Sequence, residues 1–320
     1  MMSPLIGHDE AWREWHSALG SARMHHAWIL TGLKGLGKAQ FARAAAAELV
    51  AEPGIAQPRI EAHPDILIPE HPPENKEEVK KREDGQPYRR KRSIPIDEVR
   101  LLQRRLTTRP TLGRRRAIII DPADDLERNA ANALLKSLEE PPEGTFFLLV
   151  THRLGRLLPT LRSRCRVLRF APLASDQVAA VLREQAPEAS AATRAAAVTA
   201  AEGSPGAALE FVAQDLGQLH GLMQRLITEG DEHFALRGAL AEEIGARPDR
   251  ERQQATIDLA RAVVAAELGR DAARDGAVID AHGQLVRLGA QLPTYNFDPG
   301  LVAMELGALL AALAMPKETA

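Results

Sequence analysis

Five short apolar runs recur through the first 170 residues: Ala27 to Leu30, Ile66 to Ile68, Ala117 to Ile120, Phe146 to Val150 and Val167 to Phe170. Runs this short without polar alternation fit strands buried on both faces. Between them the apolar spacing changes to threes and fours, as in Trp12, Trp15 and Leu19, in Val99, Leu102 and Leu106, and in Ala131, Leu134, Leu135 and Leu138. That spacing predicts helices, the last of them closed by Pro141 and Pro142. Strands alternating with helices predict an α/β fold with a mostly parallel, doubly wound sheet over residues 1–170. After Pro172 no strand pattern follows, alanine becomes dense, and an all-α region is expected, with Ser175 and Ser204 as helix N-caps and Pro205 at a first helical position. A break near Gly203 to Gly206 suggests a small helical lid over residues 171–213 and a helical C-terminal domain over 214–320. The stretch from Glu52 to Arg92 is rich in proline and charge and reads, especially from Pro72 to Arg92, as a surface insertion.

Composition narrows the class. The chain has 320 residues, enough for about two domains, and its 45% hydrophobic and 26% charged residues exclude a disordered or collagen-like polymer. The longest charge-poor apolar stretch, Leu301 to Met315, is interrupted by Glu305 and falls short of the roughly 18 to 20 residues that span a bilayer. Met1 to Glu10 carries no basic flank followed by an apolar core, so a cytoplasmic location is expected. The single cysteine, Cys165, excludes an internal disulfide and a cysteine-cage zinc site, and without a base beside it in sequence it reads as a small buried hydrophobe. The formal charge of −2 conceals an uneven distribution, because Lys76 to Arg116 holds 15 Lys and Arg against 6 Asp and Glu.

The first chemistry follows the first strand. Gly32-Leu33-Lys34-Gly35-Leu36-Gly37-Lys38-Ala39 precedes a helix from Gln40 to Val50, the strand–loop–helix setting of a phosphate-binding loop. In such a loop Gly32, Gly35 and Gly37 let backbone N–H groups converge on phosphates, Lys38 neutralises the terminal ones, and a Ser or Thr hydroxyl ligates Mg²⁺. Ala39 stands at that hydroxyl position. The third strand ends in Asp121-Pro122, with an acid where a metal would be held and proline where a glutamate would polarise the attacking water. These two departures predict that the chain does not hydrolyse ATP alone, and leave open whether ATP or ADP occupies the loop.

A long signature adds a family. Asn129-Ala130-Ala131-Asn132-Ala133-Leu134-Leu135-Lys136-Ser137-Leu138-Glu139-Glu140-Pro141-Pro142, followed by Leu161-Arg162-Ser163-Arg164-Cys165 and preceded by His63-Pro64-Asp65, resembles bacterial DNA polymerase III clamp-loader subunits. With its altered loop the chain is more similar to their delta-prime branch than to the ATP-hydrolysing gamma/tau branch, and the likeness is clearest over residues 1–210. The resemblance implies an AAA+ P-loop module, a helical lid and an all-α collar domain. The implied assembly is a hetero-pentamer with gamma/tau and delta subunits that loads a sliding clamp onto primer-template DNA.

In that family the Ser-Arg-Cys motif gives an arginine to the neighbouring subunit's ATP site, which the resemblance assigns to Arg164. Permanent charge and a planar fork suit a guanidinium to that task, although Arg162, Arg164 and Arg166 also read as a solvated or DNA-facing cluster. The chain departs from active relatives at Gly203-Ser204-Pro205-Gly206, where they carry a lid arginine. Many members have a four-cysteine zinc module, and His63, Asp65 and His71 do not replace it, so no zinc is expected. Thr151 aligns with a phosphate-contacting residue and otherwise ends a strand. The insertion carries Lys80-Lys81-Arg82 and Arg89-Arg90-Lys91-Arg92 around Tyr88, a candidate for salt-dependent DNA contact. With one aromatic and no recognition helix in the pattern, it reads first as a solvated loop. Two rival functions are an ATPase active in its own right and a free-standing DNA-binding module.

Overall fold

The computed structural model describes residues 5–21, 23–292 and 297–314. Residues 1–4 of the Met1 to Glu10 stretch and Met315 therefore lie outside the described residues. The chain divides into two compact units, Met1–Pro172 and Leu173–Ala320.

In the first unit the elements run α1 (Asp9–Leu19), β1 (Ala27–Thr31), α2 (Lys38–Val50), β2 (Ile66–Leu67), α3 (Lys76–Glu83), α4 (Ile96–Leu106), β3 (Arg116–Ile120), α5 (Arg128–Glu139), β4 (Thr145–Thr151), α6 (Pro159–Arg162) and β5 (Arg166–Arg169). The sheet order is β2-β3-β4-β1-β5, and every strand pair is parallel, with Leu30 opposite Val150 and Ile29 opposite Val167. Alternate residues of each strand serve opposite faces. Trp28, Leu30, Ala117, Ile119, Leu148 and Val150 pack with α1 and α2, whereas Ala27, Ile29, Ile118, Ile120, Phe147 and Leu149 pack with α4 and α5. This double burial is why the strands appear in sequence as unbroken apolar runs. Their ends differ from the expected ones by a residue or two, and β5 begins at Arg166 because its register with Trp28 admits a polar edge residue.

The second unit contains α7 (Ser175–Gln185), α8 (Ala191–Ala200), α9 (Pro205–Ala213), α10 (Gly217–Glu229), α11 (Ala235–Ile244), α12 (Arg250–Ala265), α13 (Asp275–Gln291) and α14 (Pro299–Ala311). Ser204 caps α9 by accepting from the Ala207 N–H at 3.2 Å, with Pro205 at the first helical position. Ser175 is not a cap. It is the first helical residue, preceded by Ala174 in extended conformation, and the Ala174 N–H is taken by the Gln177 side chain. One continuous apolar cluster runs from Leu173 to Leu313, so Phe211 and Leu216, on opposite sides of the expected 213/214 division, share a core.

The insertion forms local structure where a loop is expected, while most of its basic side chains are exposed, as the solvated reading has it. Asn75 caps α3 by accepting from the Glu78 N–H at 3.0 Å, and the backbones of Pro73 and Arg90 form an antiparallel bridge. Buried Glu78 ties the two together, accepting from Lys81 Nζ at 2.7 Å and from the Arg89 N–H at 2.6 Å.

Candidate functional site

The carboxyl ends of β1, β3 and β4 meet at one edge of the sheet, where parallel α/β folds place their ligand sites. The loop from Gly32 to Lys38 leaves β1 there. Gly32, Gly35 and Gly37 have φ of 153°, 83° and 81°, backbone that strongly favours glycine. Space is restrictive as well at Gly32, where a Cβ would lie 2.5 Å from the Phe170 carbonyl oxygen, whereas at Gly37 it would meet only the movable end of the Leu5 side chain. The segment preceding α1 is pinned across the loop by His8, whose Nε2 lies 2.8 Å from the Leu36 carbonyl oxygen.

Lys38 turns inward. Its Nζ donates to the carbonyl oxygens of Gly32 at 2.7 Å and Leu33 at 2.5 Å, and the residue is buried. Burial pulls its pKa down to about 8, with Asp124 and then Asp121 acting in the opposite direction.

The acidic side of the site is occupied by protein partners. Asp121 Oδ2 lies 3.4 Å from Arg43 Nη1, and the same Nη1 donates to the Ala39 carbonyl oxygen at 3.2 Å. Pro122 follows Asp121 and has no side chain able to move a proton. Asp124 does structural work that its sequence position does not reveal. It accepts from Thr151 Oγ1 at 3.0 Å and from the His152 and Arg153 N–H groups at 2.8 and 3.2 Å. Thr151 is thus fully buried and committed to Asp124. For a nucleotide-bound Mg²⁺ this donor set does not fit: a methyl group replaces the usual hydroxyl ligand, and the carboxylate not held by Thr151 and the neighbouring N–H groups, Asp121, faces Arg43 at 3.4 Å.

Arg164 lies between α6 and β5 and has its own partners. Its Nη2 lies 2.5 Å from Glu139 Oε1, and its Nη1 donates to the Thr160 carbonyl oxygen at 2.9 Å and to Ser163 Oγ at 3.3 Å. The three neighbouring arginines do not form one cluster. Arg166 pairs with Glu14 at 2.8 Å and lies over the Trp28 ring, while Arg162 is exposed. Cys165 is largely shielded, and burial pushes its thiol up to about 12, which leaves no thiolate for chemistry near neutrality.

The remaining candidates disperse. His63 Nε2 lies 2.8 Å from Gln57 Oε1, and its Nδ1 accepts from the Asp65 N–H at 3.0 Å, whereas His71 faces Asp125 at 3.1 Å. Asp65 accepts from the N–H groups of Thr111 and Leu112, both at 2.7 Å. Gly203 and Ser204 serve the second unit's own backbone, through the Leu173 N–H to the Gly203 carbonyl oxygen at 2.8 Å and through the α9 cap.

A glycine-rich loop between β1 and α2, an acid at the end of β3 and a parallel sheet ordered β2-β3-β4-β1-β5 define a P-loop module of the AAA+ type. The family model described as DNA polymerase III, delta subunit matches residues 7–174, which is over half the chain, and the chain belongs to that family. The delta-prime subunit of Pseudomonas aeruginosa is 35% identical over 162 residues, covering 47% of this chain and 44% of that protein. The delta-prime subunit of Escherichia coli is 40% identical over 129 residues, covering 40% of this chain and 38% of that protein. Gamma and tau subunits are also among the relatives. The chain matches less than half the length of the two delta-prime relatives. A DNA polymerase III gamma subunit-related protein of Thermotoga maritima is similar in structure, with a TM-score of 0.49 at 19% identity, over 95% of this chain and 99% of that one.

Proposed function

We propose that this chain is the delta-prime-type, non-hydrolytic subunit of a DNA polymerase III clamp loader. In this reading it joins gamma/tau and delta subunits in a hetero-pentamer that places a sliding clamp on primer-template DNA. Its contribution is geometric: Arg164 completes the ATP site of a neighbouring subunit, while residues 171–213 act as a lid segment and 214–320 as a collar. An arginine that bridges phosphate oxygens of a neighbour's nucleotide would stabilise charge developing during its hydrolysis.

The observation that carries this reading is a contrast within one unit. The phosphate loop offers Ala39 where a metal ligand belongs, and its Asp121 is paired with Arg43, while Arg164 is a partly exposed guanidinium held only by surface partners. Membership of the polymerase III family supports the setting. Among the described residues no helix is long and apolar enough to cross a membrane, which is compatible with work in the cytoplasm.

The test is ATP turnover by the reconstituted assembly with clamp and primed DNA, after assembly of each variant has been verified. Arg164→Ala should lower turnover by about 10³-fold at the site it serves, and Lys38→Ala should leave turnover almost unchanged. The reverse pattern would establish the loop as a working ATP site and overturn the proposal.

A further inference from the structure

The partners of Arg164 come from three places: Glu139 ends α5, Thr160 lies in α6, and Ser163 follows it. All three draw the guanidinium back onto its own chain. The strongest of them is anionic, since Glu139 Oε1 at 2.5 Å from Nη2 makes a short charge-assisted contact. A carboxylate and a phosphate each offer a pair of anionic oxygens that the planar guanidinium fork can meet, so one guanidinium edge can serve one or the other in turn. The pair is open to such an exchange, because the Arg164 and Glu139 side chains are 34% and 49% exposed.

From this geometry we infer that Glu139 is the positioning residue of Arg164: it parks the guanidinium in the absence of nucleotide next door and surrenders it to the phosphate oxygens of a neighbour's ATP. The inference deepens the proposed function and rests on Arg164 acting in trans. A solvated ion pair is a weak restraint, and its size sets the expected effect. Exposed pairs bias an equilibrium by about two- to five-fold, and apparent affinity for a ligand falls by the fraction of time the binding group is elsewhere. A polyphosphate carrying several charges can outcompete one carboxylate, so the restraint delays engagement without preventing it.

The experiment measures ATP turnover against ATP concentration in the reconstituted assembly without clamp or DNA. Glu139→Gln keeps the side-chain shape and removes the charge. It should lower KM for ATP by about two- to five-fold, with kcat nearly unchanged, and Glu139→Ala should give the same shift. Neither change should have any effect in an Arg164→Ala background, a result that a general structural role for Glu139 would not produce. If KM is unmoved or rises while Arg164→Ala still cripples turnover, the parking role is wrong and the trans role of Arg164 stands. If Arg164→Ala is itself silent, the proposed function fails and the parking role fails with it.

Discussion

Asp65 and Arg116 face one another in the interior of the first unit, with Arg116 Nη2 3.6 Å from Asp65 Oδ1 and both side chains almost fully buried. Neither relies on the other alone. Asp65 also takes the Thr111 and Leu112 N–H groups, and Arg116 donates to the carbonyl oxygens of Arg105, Thr108 and Arg109 at 2.6, 3.0 and 2.8 Å. Together they staple the connection between α4 and β3 to the start of β2. Breaking a buried pair strands a charge, so Asp65→Ala should cost about 3 to 5 kcal/mol. Urea unfolding of the two variants compares them directly, and Asp65→Asn, which can keep hydrogen-bond partners, should lose less.

Asp124 fixes the end of β4 beside the phosphate loop. Asp124→Ala would leave the buried Thr151 hydroxyl and the His152 N–H without their acceptor, and the Arg153 N–H with only Thr151 Oγ1 at 3.2 Å, at an expected cost of about 2 to 4 kcal/mol. Hydrogen exchange should show the loss locally, as faster exchange at His152 and Arg153. Unchanged protection there would mean that solvent replaces Asp124 without penalty.

The inward-turned Lys38 makes stability depend on alkaline pH in a defined sense. Its folded pKa of about 8 lies below the ordinary 10.5, so between those values the unfolded chain binds the proton that the folded chain has released. Stability contributed by this group therefore rises with pH across that window, and the penalty for burying the charge is present in full below it. Lys38→Met has no such term. The stability difference between Lys38→Met and wild type, measured by denaturant titration, should shift in favour of wild type as pH rises from about 8 to 10.5. A difference that stays flat over that range would contradict the assignment.

Glu78 holds the insertion together without an apolar core. Glu78→Ala removes the acceptor of Lys81 and of the Arg89 N–H, and should open the α3 segment while leaving the sheet intact. Limited trypsin digestion reads this directly: cleavage between residues 80 and 92 should accelerate by about tenfold, with no change in the global unfolding midpoint.

The sheet was legible because burial on both faces leaves an unmistakable apolar run, and the phosphate loop because its glycines have no substitutes at φ of 81° and 83°. What escaped depends on polar geometry. Helix α3 has no apolar stripe, yet its start is written in the sequence: Asn75 followed three residues later by Glu78 is an N-cap pattern, set among a run of charges that masks it. The role of Asp124 arises only when β4 is laid beside β3. The Arg164–Glu139 contact joins positions 25 residues apart, and no local pattern announces such a pairing. Ser175 falls one position inside the helix, and the cap position goes to Ala174, which has no side chain to cap with and whose own N–H donates to the Gln177 side chain.

The unbroken apolar cluster from Leu173 to Leu313 has a calorimetric meaning. Helices that share one core lose it together, so residues 171–213 should not melt ahead of 214–314 as a separate foldon. Heating should therefore reveal at most two cooperative transitions for this chain, and the eight helices among the described residues of the second unit should disappear in a single one of them.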